Sequence, residues 1–308
     1  MLEVKNLIKR YGNFTVLKGI NFTIEKGSVF GFLGPNGAGK STTMNILTGL
    51  IDYEEGQIFL DGQDFGKNKE TLRLRIGYLP ENPIYYPYMN AYEYLWMIGD
   101  LSGYPVNQIK KRIDELLKLV GLKDAARRRV GGYSRGMKQR LGLAVALFNH
   151  PDYLFLDEPT SALDPEGRLE MLKLMEELKE LKITVFLSTH ILADVERVCD
   201  KVSILHKGEI KLTETMVDLR KKFIQPIFDL EMEGNLEEIK DELKRLEWVE
   251  EVHIDESKIA VYVTDLEIGK KELPQVIGRL KMPLISYKIR QTTLEDIFIR
   301  MVKRDENF

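Results

Sequence analysis

Residues 34–41 read Gly34-Pro35-Asn36-Gly37-Ala38-Gly39-Lys40-Ser41 and fill every fixed position of the phosphate-binding loop G-x-x-x-x-G-K-[ST]. The pattern constrains the fold because it works only between a buried strand and the start of a helix. Ser28-Val29-Phe30-Gly31-Phe32-Leu33 is a short apolar run suited to that strand, and Ser41-Thr42-Thr43-Met44-Asn45-Ile46-Leu47 can open the helix. Glycines let the main chain curl so that successive N–H groups point at phosphate oxygens. Lys40 can reach the β- and γ-phosphates, and the Ser41 hydroxyl can ligate Mg²⁺. The positive end of the helix faces the same anion. The ligand implied for residues 34–42 is a nucleoside triphosphate.

A chain of 308 residues suits two domains. Its net charge of −3, with acids and bases mixed along the chain, lacks the basic footprint of a nucleic-acid binder. Cys199 is the only cysteine, which excludes internal disulfides, points to a reducing compartment and suits a small buried apolar side chain. No apolar run is long enough to cross a bilayer, and the start lacks the form of a signal peptide. Any membrane crossing must come from other chains.

Periodicity divides the chain. Alternating strands and glycine turns occupy the first 80 residues, and a helical pattern runs from about 82 to 146. Within it Ile109, Ile113, Leu116, Leu117 and Val120 share a face, with Gly121 as a stop. Strand and helix then alternate to about residue 220, which implies a mostly parallel sheet covered by helices. Over 221–308 the order reads β-α-β-β-α-β with a trailing helix at 294–302, the ferredoxin-like pattern of a small α+β domain.

A second constellation complements the loop. Leu154-Phe155-Leu156-Asp157-Glu158 is an apolar strand ending in two acids, and ligands of open α/β sheets sit at such strand ends. Asp157 is placed to hold Mg²⁺, and Glu158 to orient or deprotonate an attacking water. Ser134 can cap the helix that follows it, and with Gly136 it offers donors to an anion.

With these segments in order, the first 215 residues or so resemble the ATP-binding cassette ATPases of ABC transporters. Tyr133-Ser134-Arg135-Gly136-Met137-Lys138-Gln139-Arg140-Leu141 is similar to the family's signature, Ser161-Ala162-Leu163-Asp164 to its D-loop, and Ser188-Thr189-His190 to its switch histidine. The resemblance implies that Tyr11 stacks on adenine, that His190 reaches the γ-phosphate and orients it against Glu158, and that Glu81 stands near the metal. It also implies that Ser134 and Gly136 contact ATP held by a second cassette, as homodimer or heterodimer. The implied protein is an Mg²⁺-dependent ATPase on the inner face of the cell membrane, driving an integral membrane permease. Two departures, Glu81 for the usual glutamine and Arg135 for the first signature glycine, resemble the exporter branch, as does the terminal segment Thr293-Leu294-Glu295-Asp296-Ile297-Phe298. The sequence leaves open whether Arg135 turns from the phosphate or adds charge to it. The alternative, a soluble cassette protein acting on ribosomes or DNA, usually carries two cassettes or a long coiled coil, and neither is present here.

The stretch from Tyr85 to Tyr92, continuing through Tyr94 and Trp96, is unusually aromatic. Not all of it can face inward, so some is expected at the surface as a contact for the membrane partner. Tyr85 and Tyr86 are the first candidates, with Leu95 and Trp96 expected in the core.

Overall fold

A computed structural model describes residues 1–291 except 162, 224, 225, 235, 256, 257 and 281, together with Leu294. The first unit, Met1–Met216, begins with β1 (Leu2–Tyr11), β2 (Phe14–Ile24), β3 (Val29–Leu33), α1 (Lys40–Leu47), β4 (Glu55–Leu60), β5 (Gln63–Asp64), α2 (Lys69–Arg73) and β6 (Ile76–Leu79). The helical stretch follows as α3 (Ala91–Leu101), α4 (Val106–Leu119) and α5 (Arg135–Ala146). Alternation resumes with β7 (Tyr153–Asp157), α6 (Pro165–Glu180), β8 (Thr184–Thr189), α7 (Leu192–Val198), β9 (Lys201–His206) and β10 (Glu209–Thr215).

Two sheets form this unit. The strand order β10-β9-β3-β8-β7-β6 makes a six-stranded sheet in which β9, β3, β8, β7 and β6 run parallel. Strands β3, β7 and β8 are buried at every residue, as their unbroken apolar runs require when both faces are covered. The second sheet, β2-β1-β4-β5, is antiparallel. Aromatic packing joins the two: Phe22 of β2 lies 5.6 Å from Phe30 and 5.8 Å from Phe186, centroid to centroid. Phe155 adds a fourth strand's ring, 5.5 Å from Phe186. Cys199 is buried against β3, so that a Cβ on Gly31 would come within 2.9 Å of its sulfur. Burial pushes its thiol pKa up, in keeping with a packing role.

The helical stretch is built by local signals. Asn90 and Glu93 form a reciprocal capping box at the start of α3, with bonds of 2.9 and 3.0 Å. Helix α4 buries Ile109, Ile113, Leu116 and Leu117, and Gly121 takes φ +64° beyond its end. Ser134 caps α5, its Oγ accepting from Met137 N–H at 3.2 Å.

Helix α8 (Met216–Phe223) begins at the boundary of the second unit, Val217–Phe308. There β11 (Pro226–Met232), α9 (Leu236–Lys244), β12 (Val249–Asp255), β13 (Lys258–Val263), α10 (Leu266–Leu280) and β14 (Leu284–Gln291) follow in β-α-β-β-α-β order. The sheet order is β12-β13-β11-β14, antiparallel throughout, and Phe228, Leu230, Ile239, Leu243, Val261, Leu273 and Ile277 share one core with the helices. The helix expected over 294–302 and the terminal segment, apart from Leu294, lie outside the described residues.

Candidate active site

Four neighbouring parallel strands, in the order β3-β8-β7-β6, deliver the candidate residues from their carboxyl ends. Leu33 pairs with Thr189, Asp157 with Ser188 and Leu79 with Leu156, so the phosphate loop, His190, the acid pair and Glu81 emerge along one edge. They converge on a cavity of about 400 Å³ lined by Phe14, Val16, Asn36, Gly37, Gly39, Lys40, Ser41, Thr42, Glu81, Glu158, Ser161 and His190. Gly34, Pro35 and Ala38 shape the loop without lining it. A Cβ on Gly34 would lie 2.4 Å from the Leu205 carbonyl oxygen, and Gly39 at φ +112° precedes α1 in a conformation that only glycine adopts easily.

Lys40 is 6% exposed, with its ammonium 2.8 Å from the Gly34 carbonyl and 3.2 Å from Glu158 Oε1. The second Glu158 oxygen lies 2.9 Å from His190 Nδ1. One carboxylate thus bridges the loop lysine and the strand-end histidine. Glu158 holds this place in the left-handed backbone region, φ +48°, which costs a non-glycine residue roughly 1 kcal/mol. Its N–H donates to the Ser188 carbonyl at 3.0 Å, anchoring the turn.

Asp157 is buried below the cavity rather than on its wall. It accepts from the hydroxyls of Ser188 and Ser41, yet burial outweighs these bonds and holds its carboxyl above the usual range, helped by the Glu158 charge beside it. Ser41, Asp157 and Glu81 supply hard oxygen donors only, the set that Mg²⁺ takes when phosphates and waters complete its shell. Among the described residues no cluster of three or more His, Cys, Asp or Glu side chains could hold a metal by itself.

One assignment is placed differently from the sequence reading. Tyr11 does not line the cavity: its ring lies 5.1 Å from the Lys9 ammonium, and its hairpin partner Phe14 lines the wall instead. A second aromatic three residues past Tyr11, across the Gly12 turn, was the signal available in the sequence for Phe14. Ser134 and Gly136, read as meeting nucleotide on a second cassette, line no part of this cavity. Arg135 reaches Asn82 Oδ1 at 3.3 Å, beside Glu81, and Gln139 of the same helix donates to the Glu81 carbonyl at 2.6 Å. Helix α5 is therefore tied to the Glu81 loop.

The aromatic stretch also divides unexpectedly. Tyr85 is turned inward, donating to the Lys138 carbonyl at 2.8 Å against Gly142, whereas Tyr86 and Tyr88 are 51% and 65% exposed. Leu95 is buried, but Trp96 is 38% exposed and stacks on Tyr92, which carries the Arg127 guanidinium at 4.2 Å.

The profile of a family described as ABC transporter matches residues 17–161. An uncharacterized ABC transporter ATP-binding protein, YxlF of Bacillus subtilis (strain 168), is 38% identical over 98% of this chain and 99% of its own length. The bacitracin transport ATP-binding protein BcrA of Bacillus licheniformis is 36% identical over 98% of this chain and 97% of its own. The dimeric post-hydrolysis structure of the ATP-binding cassette MJ0796, bound to ADP and Pi, matches with a TM-score of 0.64 and 27% identity, covering 70% of this chain and 99% of that one.

Proposed function

We propose, because this chain belongs to the ABC transporter family as an ATP-binding subunit and ATPase, that it is the Mg²⁺-dependent motor of an exporter, closing as a dimer on ATP and driving a separate integral membrane permease. The observation that carries the reading is the bridge Lys40–Glu158–His190 at the ends of adjacent strands. Glu158 orients a water and takes its proton, Lys40 and the start of α1 offset phosphate charge, and His190 keeps Glu158 aimed. Ser41, Asp157 and Glu81 would hold Mg²⁺, which supplies positive charge to the phosphates. The exporter reading draws on the bacitracin transport relative, similar along nearly the whole chain.

The dimer reading rests on Ser134 and Gly136. They lie at the start of a capped helix, off the cavity in their own chain, and so remain available to a nucleotide held by a second copy. The 308-residue chain should therefore scatter light with the mass of a dimer in the presence of a non-hydrolysable ATP analogue and Mg²⁺. Single copies at every concentration would count against it. Among the described residues no helix is long and apolar enough to span a membrane, which fits attachment to the inner face of the cell membrane through the permease. The second unit, Val217–Phe308, would serve an accessory or regulatory role.

The nucleobase would lie against Phe14 and Val16. Phe14→Ala should weaken ATP binding by about 1–2 kcal/mol, roughly 5- to 30-fold, and leave inorganic tripolyphosphate binding unchanged. Tyr11→Ala should cost less, and a larger loss there would return the stacking role to Tyr11.

The permease would dock on the aromatic face around Tyr86, Tyr88 and Trp96. Paired Tyr86→Glu and Tyr88→Glu changes should release the protein from membranes that contain the permease, with ATP affinity retained. Tyr85 is unsuited to this test because it is packed against α5. An unchanged membrane-bound fraction would remove the face from the docking surface.

A further inference from the structure

Glu158 sits on a turn whose backbone is held in an unfavourable region, so something beyond local preference must keep it there. Two residues on, Thr160 is 2% exposed, and its hydroxyl donates to Asp194 Oδ2 at 2.5 Å. Asp194, 1% exposed in the first turn of α7, uses its other oxygen to accept from Arg168 Nε at 2.8 Å and Nη2 at 2.6 Å. Arg168 belongs to α6, which follows the Ser161–Asp164 segment, and α7 follows His190 directly. A single buried carboxylate thus fastens the segment after Glu158, the helix after the D-loop-like segment and the helix after His190. Burying it is tolerable only because both oxygens are satisfied by strong donors.

We propose that Asp194 is a positioning residue for ATP hydrolysis, locking the Glu158 turn and the His190 turn into one rigid pair through Thr160 and Arg168. The proposal rests on the reading of Glu158 as the water-activating group. Asp194 does not line the cavity. It acts by removing the freedom of Glu158 to swing from the γ-phosphate, where a displacement near 1 Å is enough to cost on the order of a hundredfold in rate.

The test uses the full-length chain with Mg²⁺ and ATP, and two variants. Asp194→Asn keeps the shape but sets an amide against Arg168. Thr160→Val removes only the hydroxyl and keeps the volume, so it reports even if the first variant folds poorly. Both should lower kcat roughly tenfold or more, with ATP affinity within about twofold of wild type. The double variant should lose little beyond Asp194→Asn alone, because the two changes break one contact. An unchanged kcat in Thr160→Val, or a parallel fall of kcat, ATP affinity and Tm in both variants, would overturn the proposal. Glu158→Gln separates the two layers: if it hydrolyses ATP normally, the functional reading fails. If it is inactive while Thr160→Val is fully active, only the role of Asp194 is lost.

Discussion

Glu158→Gln is expected to cut ATP turnover by about 10²- to 10⁴-fold, the range that general acid–base catalysis supplies, while ATP still binds. The amide keeps the size of the side chain and can still accept from His190 Nδ1, whose ring lies 2.9 Å away, but it cannot take a proton from water. The substitution also removes a negative charge 3.2 Å from the Lys40 ammonium, leaving that ammonium freer for phosphate. Binding without release should therefore accumulate a nucleotide-held dimer, visible by light scattering with ATP and Mg²⁺. Turnover within a few-fold of the parent chain would exclude Glu158 as the water-activating group.

Asp157→Asn should have two effects of opposite sign. Hydrolysis should be lost, since the amide is a poor ligand for a hard cation. The nucleotide-free chain should become more stable, with a higher Tm at neutral pH. The reason is the raised pKa of Asp157, caused first by burial. A carboxyl whose folded pKa exceeds its unfolded value is taken up as the acid more readily by the folded chain. Its contribution to stability therefore improves as pH falls through that raised value and is unfavourable at neutral pH. Asparagine removes the buried charge and still accepts from Ser188, with its amide able to meet Ser41. The gain in Tm over the parent should accordingly shrink on acidification. A lower Tm at neutral pH would show that the hydrogen bonds of the carboxylate outweigh its burial.

Much of the site was legible because its signals are local. The loop at 34–41, the acid pair closing an apolar strand and the serine before α5 are read within a few residues, and backbone geometry at that range follows from glycine freedom, strand alternation and capping. The histidine was readable as a strand-end residue, although its bond to Glu158 was not. The inward turn of Tyr85 was hidden for a similar reason. Its hydroxyl partner is the carbonyl of Lys138, in a helix that begins far along the chain.

Residue types and their spacing by themselves determined that this chain carries a phosphate loop on a parallel sheet, a capped signature-like helix and a separate α+β segment. Only the tertiary structure decided that Phe14 rather than Tyr11 lines the cavity, that Arg135 and Gln139 lean on the Glu81 loop, and that Asp194 joins the turns after Glu158 and His190. The difference is physical. A turn or cap is settled by neighbours along the backbone, whereas a buried carboxylate or an exposed ring takes its role from side chains that folding brings together from distant positions.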